Sequence, residues 1–160
     1  MVAPDRIKHF ICSRFFYFKD PEFPFDVFEP NFLKTRAILA KNNIMKSLEN
    51  QTNKNFELVF YISDKFSEDE KYNFVFEILS DATFPVRFVK IHQEDGKPDS
   101  RALIQNEFLD VVKVAYDNYD FVIQSRMDYD DFIYKEAIED TQSKVNECDK
   151  IIFYGYCKGY

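Results

Sequence analysis

Residues 121–131 read Phe121-Val122-Ile123-Gln124-Ser125-Arg126-Met127-Asp128-Tyr129-Asp130-Asp131. The stretch opens with an aromatic and two β-branched residues, which is typical of a strand, and it ends with three carboxylates within four residues. In α/β sheets, ligands bind just beyond the carboxyl ends of the strands. The stretch therefore predicts an apolar strand and, directly after it, a place for chemistry.

The rest of the chain alternates strand and helix patterns around this stretch. Apolar runs predict strands at residues 7–17, 56–62, 86–91, 121–126 and 150–156. Amphipathic spacing predicts helices at residues 30–50, after a capping box at Ser67-Glu68-Asp69-Glu70, at 99–116 and at 133–145. This alternation favours an α/β fold with a largely parallel central sheet. No linker or repeat divides the chain, so residues 1–160 are interpreted as one domain.

The composition excludes several classes of protein. The 160 residues include only three glycines, Gly96, Gly155 and Gly159, whose positions allow neither G-x-G-x-x-G nor G-x-x-x-x-G-K-[ST]. With 28 acidic residues against 21 basic ones, nucleic acid is not an expected partner. No window approaches the roughly 18 consecutive apolar residues of a membrane span. We therefore expect a cytoplasmic protein, which would be in the host cytoplasm if the chain is viral.

The cysteines and histidines do not suggest a metal site. Cys12, Cys148 and Cys157 are odd in number and lack C-x-x-C spacing, so we expect buried thiols rather than a disulfide framework or a zinc site. His9 lies among apolar residues and His92 follows a strand, and neither has metal-ligand spacing. We expect a core or surface role for both histidines.

The acidic cluster allows two interpretations. Asp128, Asp130 and Asp131 would repel one another unless a cation offsets their charge, and Mg²⁺ and Mn²⁺ prefer such oxygen ligands. A calcium EF-hand loop is disfavoured, because Phe132 and Ile133 stand where a ligand and a glycine are required. The alternative is a solvated turn in which Asp130 or Asp131 caps the next helix.

Several segments together resemble GT-A glycosyltransferases, and specifically the rhamnosyltransferase family with its viral and bacterial relatives. Besides the D-x-D-D at residues 128–131, the segments that carry the resemblance are His9-Phe10-Ile11-Cys12-Ser13-Arg14-Phe15, Arg36, Ser47-Leu48-Glu49-Asn50-Gln51-Thr52 with Asn55-Phe56, and Ser125-Arg126-Met127. The resemblance implies a GT-A, Rossmann-like fold with helices on both faces of the sheet. Since the chain ends about 30 residues beyond the D-x-D motif, it is interpreted as the donor-binding part, incomplete at its C-terminus.

The resemblance also implies a role for each acid of the cluster. Asp130 and Asp128 would hold a Mn²⁺ or Mg²⁺ ion that bridges the diphosphate of the donor. Asp128 would also lie near the ribose. Asp131 would face the donor sugar or support the other two acids.

Other polar residues are implied in donor binding. Asp64, with its neighbour Ser63, would accept a hydrogen bond from the nucleotide base, and Arg14, Arg101 and Arg126 would line the diphosphate pocket. Each of three has an alternative: Asp64 as an ordinary turn residue, Arg101 as a surface charge, and Arg126 as an ion-pair partner of the aspartates.

The implied activity is transfer of a hexosyl or rhamnosyl group, with inversion, from a nucleoside-diphosphate sugar to a glycan or glycoprotein acceptor. No residue suggests itself as the catalytic base. A non-catalytic nucleotide-sugar-binding domain is an alternative. A nucleotidyltransferase is disfavoured, because Ser13-Arg14-Phe15-Phe16 supplies no glycine-rich loop after the first strand.

Overall fold

The computed structural model describes residues 6–15, 28–92 and 110–145, except residues 112 and 116 and the side chain of residue 67. The strands are β1 (Ile7–Arg14), β2 (Glu57–Ser63), β3 (Val86–Ile91) and β4 (Phe121–Asp128). The helices are α1 (Pro30–Ala40), α2 (Lys46–Glu49), α3 (Lys65–Glu68), α4 (Asn73–Ser80) and α5 (Ala137–Lys144). A π-helical turn (Lys41–Met45) joins α1 to α2, and a 3-10 helix (Glu70–Tyr72) precedes α4. Residues 110, 111 and 113–115 are also helical.

The described strands form one sheet in the order β3-β2-β1-β4, and every pair is parallel. This confirms the predicted α/β fold with a parallel sheet. Strands β2 and β3 are added in turn on one side of β1, whereas β4 is added on the other side of β1. The strand order therefore reverses between β1 and β4, where open α/β sheets commonly bind their ligands.

The core lies between the sheet and the helix that runs from α1 through α2. Strand β2 is buried along its whole length. The predicted apolar face of the helix is confirmed, since its members are at most 2% exposed: Leu33, Ala37, Ala40, Ile44 and Leu48. Helix α1 packs in turn against α4. Because the apolar stripe continues through the π-helical turn, one helical unit covers the sheet from residue 30 to residue 49.

A buried carboxylate ties three strands together near their amino ends. Glu57 is the first residue of β2. Its Oε2 lies 2.5 Å from Lys8 Nζ on β1, and its Oε1 lies 2.5 Å from Arg87 Nε on β3. Burial by itself would raise the pKa of Glu57, but the hydrogen bonds from Lys8 and Arg87 lower the pKa below its usual value. Glu57 is therefore ionised at neutral pH and cross-links β1, β2 and β3.

Cys12 confirms the expectation of a buried thiol. It is a free, buried cysteine whose Sγ accepts a hydrogen bond from the Tyr61 hydroxyl on β2 at 3.8 Å. Burial raises the pKa of the Cys12 thiol to about 12, so this side chain is un-ionised at physiological pH. Cys148 and Cys157 lie outside the described residues.

The predicted capping box at Ser67 is wrong. The backbone of Ser67 already lies inside α3, whereas Asp69 has the extended backbone of an N-cap, with φ −132° and ψ 117°. The Asp69 carboxylate accepts a hydrogen bond from the backbone N–H of Lys71 at 3.0 Å. Asp69 is an equally good capping residue and stands two positions later, so the helical segment leading into α4 begins there.

The last described helix begins later than the sequence predicts. Helix α5 starts at Ala137 rather than at residue 133, and the carbonyls of residues 134 and 135 before it accept hydrogen bonds from Gln51 and Thr52. Glu136 occupies the N-cap position of α5. Asp130 and Asp131 therefore do not cap this helix, whereas both residues are exposed, as the alternative of a solvated turn predicts.

Some predictions fall outside the described part of the chain. They are the strand at residues 150–156 and most of the helix at 99–116, including Arg101. Within the described ranges, no helix has the length and apolar character needed to cross a membrane.

Candidate functional site

The carboxyl ends of three neighbouring strands bring most of the predicted site residues to one edge of the sheet. Arg14 is the last residue of β1, Ser63 is the last of β2, and Asp128 is the last of β4. Because β1 lies between the other two, Asp64 and Asp128 are separated by about two strand spacings, or roughly 10 Å. This edge is our candidate site.

Two arginines converge on Asp128. Arg14 stands opposite Asp128 in the β1–β4 register, and its Nη2 atom lies 3.5 Å from Asp128 Oδ1. The Nη2 atom of Arg126 lies 3.7 Å from the same oxygen. The interpretation of Arg126 as an ion-pair partner of the aspartates is thus confirmed. All three side chains are more than a third exposed, at 39% for Arg14, 65% for Arg126 and 48% for Asp128, so water weakens these pairs.

Residues 128–131 form a closed turn, which we call the acidic turn. The Asp131 carboxylate accepts a hydrogen bond from the backbone N–H of Asp128 at 2.8 Å. In return, the backbone N–H of Asp131 donates to the Asp128 carbonyl at 3.1 Å. Asp130 is exposed, and its carbonyl accepts a hydrogen bond from Asn43 Nδ2 at 3.2 Å. Asp131 therefore helps to shape the turn, while Asp130 is accessible from outside.

The aromatic residue between the aspartates packs into the protein. The guanidinium carbon of Arg36 lies 4.2 Å from the ring centroid of Tyr129. Phe15 meets the same ring edge-on, with centroids 6.1 Å apart. Both Arg36 and Phe15 are buried. The sequence did not predict the contacts of Arg36 and Asn43 with the acidic turn. For Arg36, the signal in the sequence was a charged residue next to the apolar face of α1.

Asp64 and Ser63 lie at the same edge, one strand beyond β1. The backbone N–H of Asp64 donates to the Ile91 carbonyl at 3.2 Å, and its carboxylate pairs with Nδ1 of His92. Ser63 is buried, and its Oγ accepts a hydrogen bond from the backbone N–H of Lys65 at 3.3 Å. The exposed His92 is therefore a partner of Asp64 at the site, a role that the sequence did not suggest.

The donor atoms suit a hard divalent cation only in part. Among residues 6–15, 28–92 and 110–145, no three or more His, Cys, Asp or Glu side chains come together as a ready metal site. Magnesium-type sites for phosphorylated substrates, however, commonly use one or two carboxylates and leave the other positions to phosphate oxygens and water. Asp128 and Asp130 offer two carboxylates at one strand end, which fits a site that the substrate completes.

The segment after the acidic turn is held by the end of helix α2. Gln51 is only 3% exposed, and its amide nitrogen donates to the Tyr134 carbonyl at 2.8 Å and to the Ser47 carbonyl at 3.2 Å. Its amide oxygen accepts from the backbone N–H of Ile138 at 3.1 Å. The backbone N–H of Thr52 donates to the Lys135 carbonyl at 2.8 Å. The Gln51-Thr52 pair thus connects the first helical unit to α5.

Comparison with known proteins identifies the family of the chain. A family model described as "Putative rhamnosyl transferase" matches residues 25–154. The chain belongs to this family. The family is one of glycosyltransferases, so the resemblance inferred from the sequence is confirmed. No curated protein and no solved structure gave a significant match.

The rhamnosyl transferase match spans the acidic turn, Asp64 and every described element except β1. A glycosyltransferase must bind an anionic donor and stabilise a departing phosphate group. The edge contains two cationic side chains, those of Arg14 and Arg126, beside the carboxylate of Asp128. In this member of the rhamnosyl transferase family, these groups meet where the strand order reverses.

Proposed function

We propose that this member of the rhamnosyl transferase family is a metal-dependent glycosyltransferase. The donor would be a nucleoside-diphosphate sugar, and the acceptor a glycan or a protein-linked glycan. The observation that carries the proposal is the convergence of Arg14 and Arg126 on Asp128 at the reversal point of the strand order. Open α/β sheets bind nucleotides at such a point.

The proposed roles follow from the charge of each group. Asp130 and Asp128 would hold Mn²⁺ or Mg²⁺, which supplies Lewis-acid stabilisation of the departing nucleoside diphosphate. Arg14 and Arg126 carry permanent positive charges, and their planar guanidinium groups match the geometry of phosphate oxygens. Both side chains are exposed, so each could leave Asp128 and bind the diphosphate instead. Asp131 would keep the turn closed through its bond to the Asp128 N–H.

The remaining donor contacts complete the proposal. Asp64 and Ser63 would bind the nucleotide base, with His92 holding the Asp64 carboxylate in place. Arg101 stays a predicted diphosphate ligand outside the described residues. Transfer would invert the configuration at the sugar, with deprotonation of the acceptor hydroxyl by a carboxylate.

Donor binding and turnover test this proposal directly. The full chain would be titrated with UDP-, GDP- and dTDP-sugars with and without Mn²⁺, and release of nucleoside diphosphate would be followed. We expect one donor to bind with Mn²⁺ and Asp130→Ala to weaken that binding by more than about 10-fold, since even supporting residues of metal sites have effects of this size. Asp117→Ala is the matched control, because Asp117 is an exposed aspartate near the opposite end of β4.

Each outcome decides between the candidate functions. Mn²⁺-dependent donor binding with release of nucleoside diphosphate supports a glycosyltransferase. Donor binding without turnover on any acceptor would favour the non-catalytic nucleotide-sugar-binding domain. If no donor binds with or without Mn²⁺, and Asp130→Ala behaves like Asp117→Ala, the proposal is wrong.

A further inference from the structure

We infer that Arg36 and Asn43 are positioning residues that hold the acidic turn in the shape needed to bind the donor and its metal. The inference rests on the proposed function and adds two residues to it. Both lie on the helical unit beneath the turn, seven residues apart, which is about two helical turns. Each contacts a different residue of the turn, Tyr129 and Asp130 respectively.

Arg36 fixes the turn through the ring of Tyr129. Its guanidinium carbon lies 4.2 Å from the ring centroid, and Phe15 packs edge-on against the same ring. Phe15 is fully buried at the end of β1 and also meets Phe60 of β2 edge-on, with centroids 6.0 Å apart. The ring is therefore held between helix α1 and the sheet. Because Tyr129 stands between Asp128 and Asp130, holding its ring limits how far either aspartate can move.

Arg36 also places a permanent positive charge on the ring of Tyr129, whose neighbours in the chain are Asp128 and Asp130. The three carboxylates of the turn lie within four residues, and like charges this close repel one another. Arg36 is only 5% exposed, so its charge is screened less by water than the charges of Arg14 and Arg126. A lysine would keep the charge but would lose the flat group that stacks on the ring.

Asn43 holds the backbone of the residue proposed to bind the metal. Its Nδ2 donates to the Asp130 carbonyl at 3.2 Å. Asn43 is the central residue of the π-helical turn Lys41–Met45, an irregular helical turn that often occurs at functional sites. The carboxylates of the turn are thus held by contacts to the ring of Tyr129 and to the peptide of Asp130. Neither contact uses a carboxylate oxygen, so neither competes with a metal for the carboxylates of Asp128 and Asp130.

The test compares variants of the residues that make the two contacts, with one disruptive and one conservative substitution each at Arg36 and Tyr129. Arg36→Met, Arg36→Lys, Asn43→Ala, Tyr129→Leu and Tyr129→Phe would be titrated calorimetrically with Mn²⁺ together with UDP, GDP or dTDP. Lys34→Met is the matched control, because Lys34 is exposed on the same helix. Thermal unfolding and circular dichroism of each variant would show that the titrated protein is folded.

We expect a pattern that follows the contacts rather than stability. Affinity for the Mn²⁺–nucleoside diphosphate pair should fall by about 10-fold or more in Arg36→Met, Tyr129→Leu and Asn43→Ala, the range known for residues that orient metal ligands. Arg36→Lys should recover only part of the loss, while Tyr129→Phe and Lys34→Met should bind like the wild type. Where turnover is measurable, the loss should appear in KM for the donor more than in kcat.

The outcomes separate this inference from the proposed function. If the wild type binds none of the probes, the proposed function fails and this inference fails with it. If the wild type binds and folded Arg36→Met binds equally well, the inference alone is overturned. Should Arg36→Met not fold, Asn43→Ala decides, because its side chain is only half-buried: wild-type affinity in that variant overturns the inference and a 10-fold loss supports it.

Discussion

The His9 side chain on β1 is fully buried and contacts two polar side chains, those of Ser125 and Gln142. Its Nε2 is 2.8 Å from the Ser125 hydroxyl on β4, and the amide nitrogen of Gln142 on α5 donates to its Nδ1 at 3.4 Å. Desolvation lowers the pKa of His9 to about 4, so the ring is neutral at physiological pH. The pair with Ser125 is remote from the candidate site, since His9 precedes the end of β1 by five residues. The expected core role of His9 is confirmed.

The buried neutral ring predicts a loss of stability in mild acid. The unfolded chain binds a proton at His9 near pH 6.5, whereas the folded chain binds it only near pH 4. The free energy of unfolding should therefore fall as pH drops through this window, by up to about 3 kcal/mol in total. Urea unfolding of wild type and His9→Gln at several pH values would measure the difference, and the variant should show a flatter slope between pH 6.5 and 5.

An internal control accompanies this comparison. Above pH 7.5 the histidine is neutral in both the folded and the unfolded chain, so the two proteins should show parallel pH dependence there. Equal slopes below pH 6.5 would show that His9 is not the group responsible.

Helix α2 and helix α5 are connected by one buried amide. Gln51 uses both ends of its side chain, donating to the Ser47 and Tyr134 carbonyls and accepting from the Ile138 N–H. Ile138 lies in the first turn of α5, where backbone N–H groups have no partner within the helix. The glutamine thus supplies from another helix a hydrogen bond that α5 cannot make internally.

Truncation of this amide should destabilise the protein measurably. Gln51→Ala removes three hydrogen bonds, one of them from a backbone N–H of α5, and should lower the free energy of unfolding by about 3 kcal/mol. Asn50→Ala, which changes the exposed neighbouring residue, should stay within about 0.5 kcal/mol of the wild type. Denaturant midpoints measure both effects. Similar midpoints for the two variants would contradict the role assigned to Gln51.

The reversal of strand order brings Arg14, Arg126 and Asp128 together at one edge of the sheet. Arg14 and Arg126 share the Asp128 carboxylate, so the proposed metal ligand is already paired with two cations. A diphosphate would attract both arginines and thereby release Asp128 for a metal. Metal and nucleoside diphosphate should consequently bind better together than either does alone.

This coupling should be visible in the thermal stability of the whole chain. A ligand at 100 times its Kd stabilises the folded state by about 2.7 kcal/mol, which for a protein of this size raises Tm by about 5 to 10 °C. Mn²⁺ with the cognate nucleoside diphosphate should produce such a shift, larger than the sum of the shifts from each alone. EDTA should remove the excess.

Variants at the two ends of β4 serve as comparisons. Asp130→Ala should lose the Mn²⁺-dependent part of the Tm shift, while Asp117→Ala should keep it. Strictly additive shifts in the wild type would contradict the proposed exchange of partners at Asp128.

Local pattern was enough to predict much of this protein. Strands β2, β3 and β4, the helical unit 30–49 and the parallel α/β class all follow from apolar runs and amphipathic spacing, because burial of one face imposes those periods on the sequence. The D-x-D-D motif, together with the segments 9–15, 47–52 and 125–127, was enough to predict the family. The start of α5 and the cap at Asp69 were missed, since competing caps and hydrogen bonds from distant residues set those boundaries.

The contacts within the candidate site depend on the folded arrangement of the strands. Arg14 meets Asp128 because β1 and β4 are neighbours in register, although the two residues are far apart in the chain. Arg36, Asn43 and Gln51 reach residues 129–138 because a helix that follows β1 packs beneath a turn that follows β4. Such pairings are set by long-range packing of the sheet and its helices. Short-range periodicity, which reports only which face of an element is buried, contains no information about them.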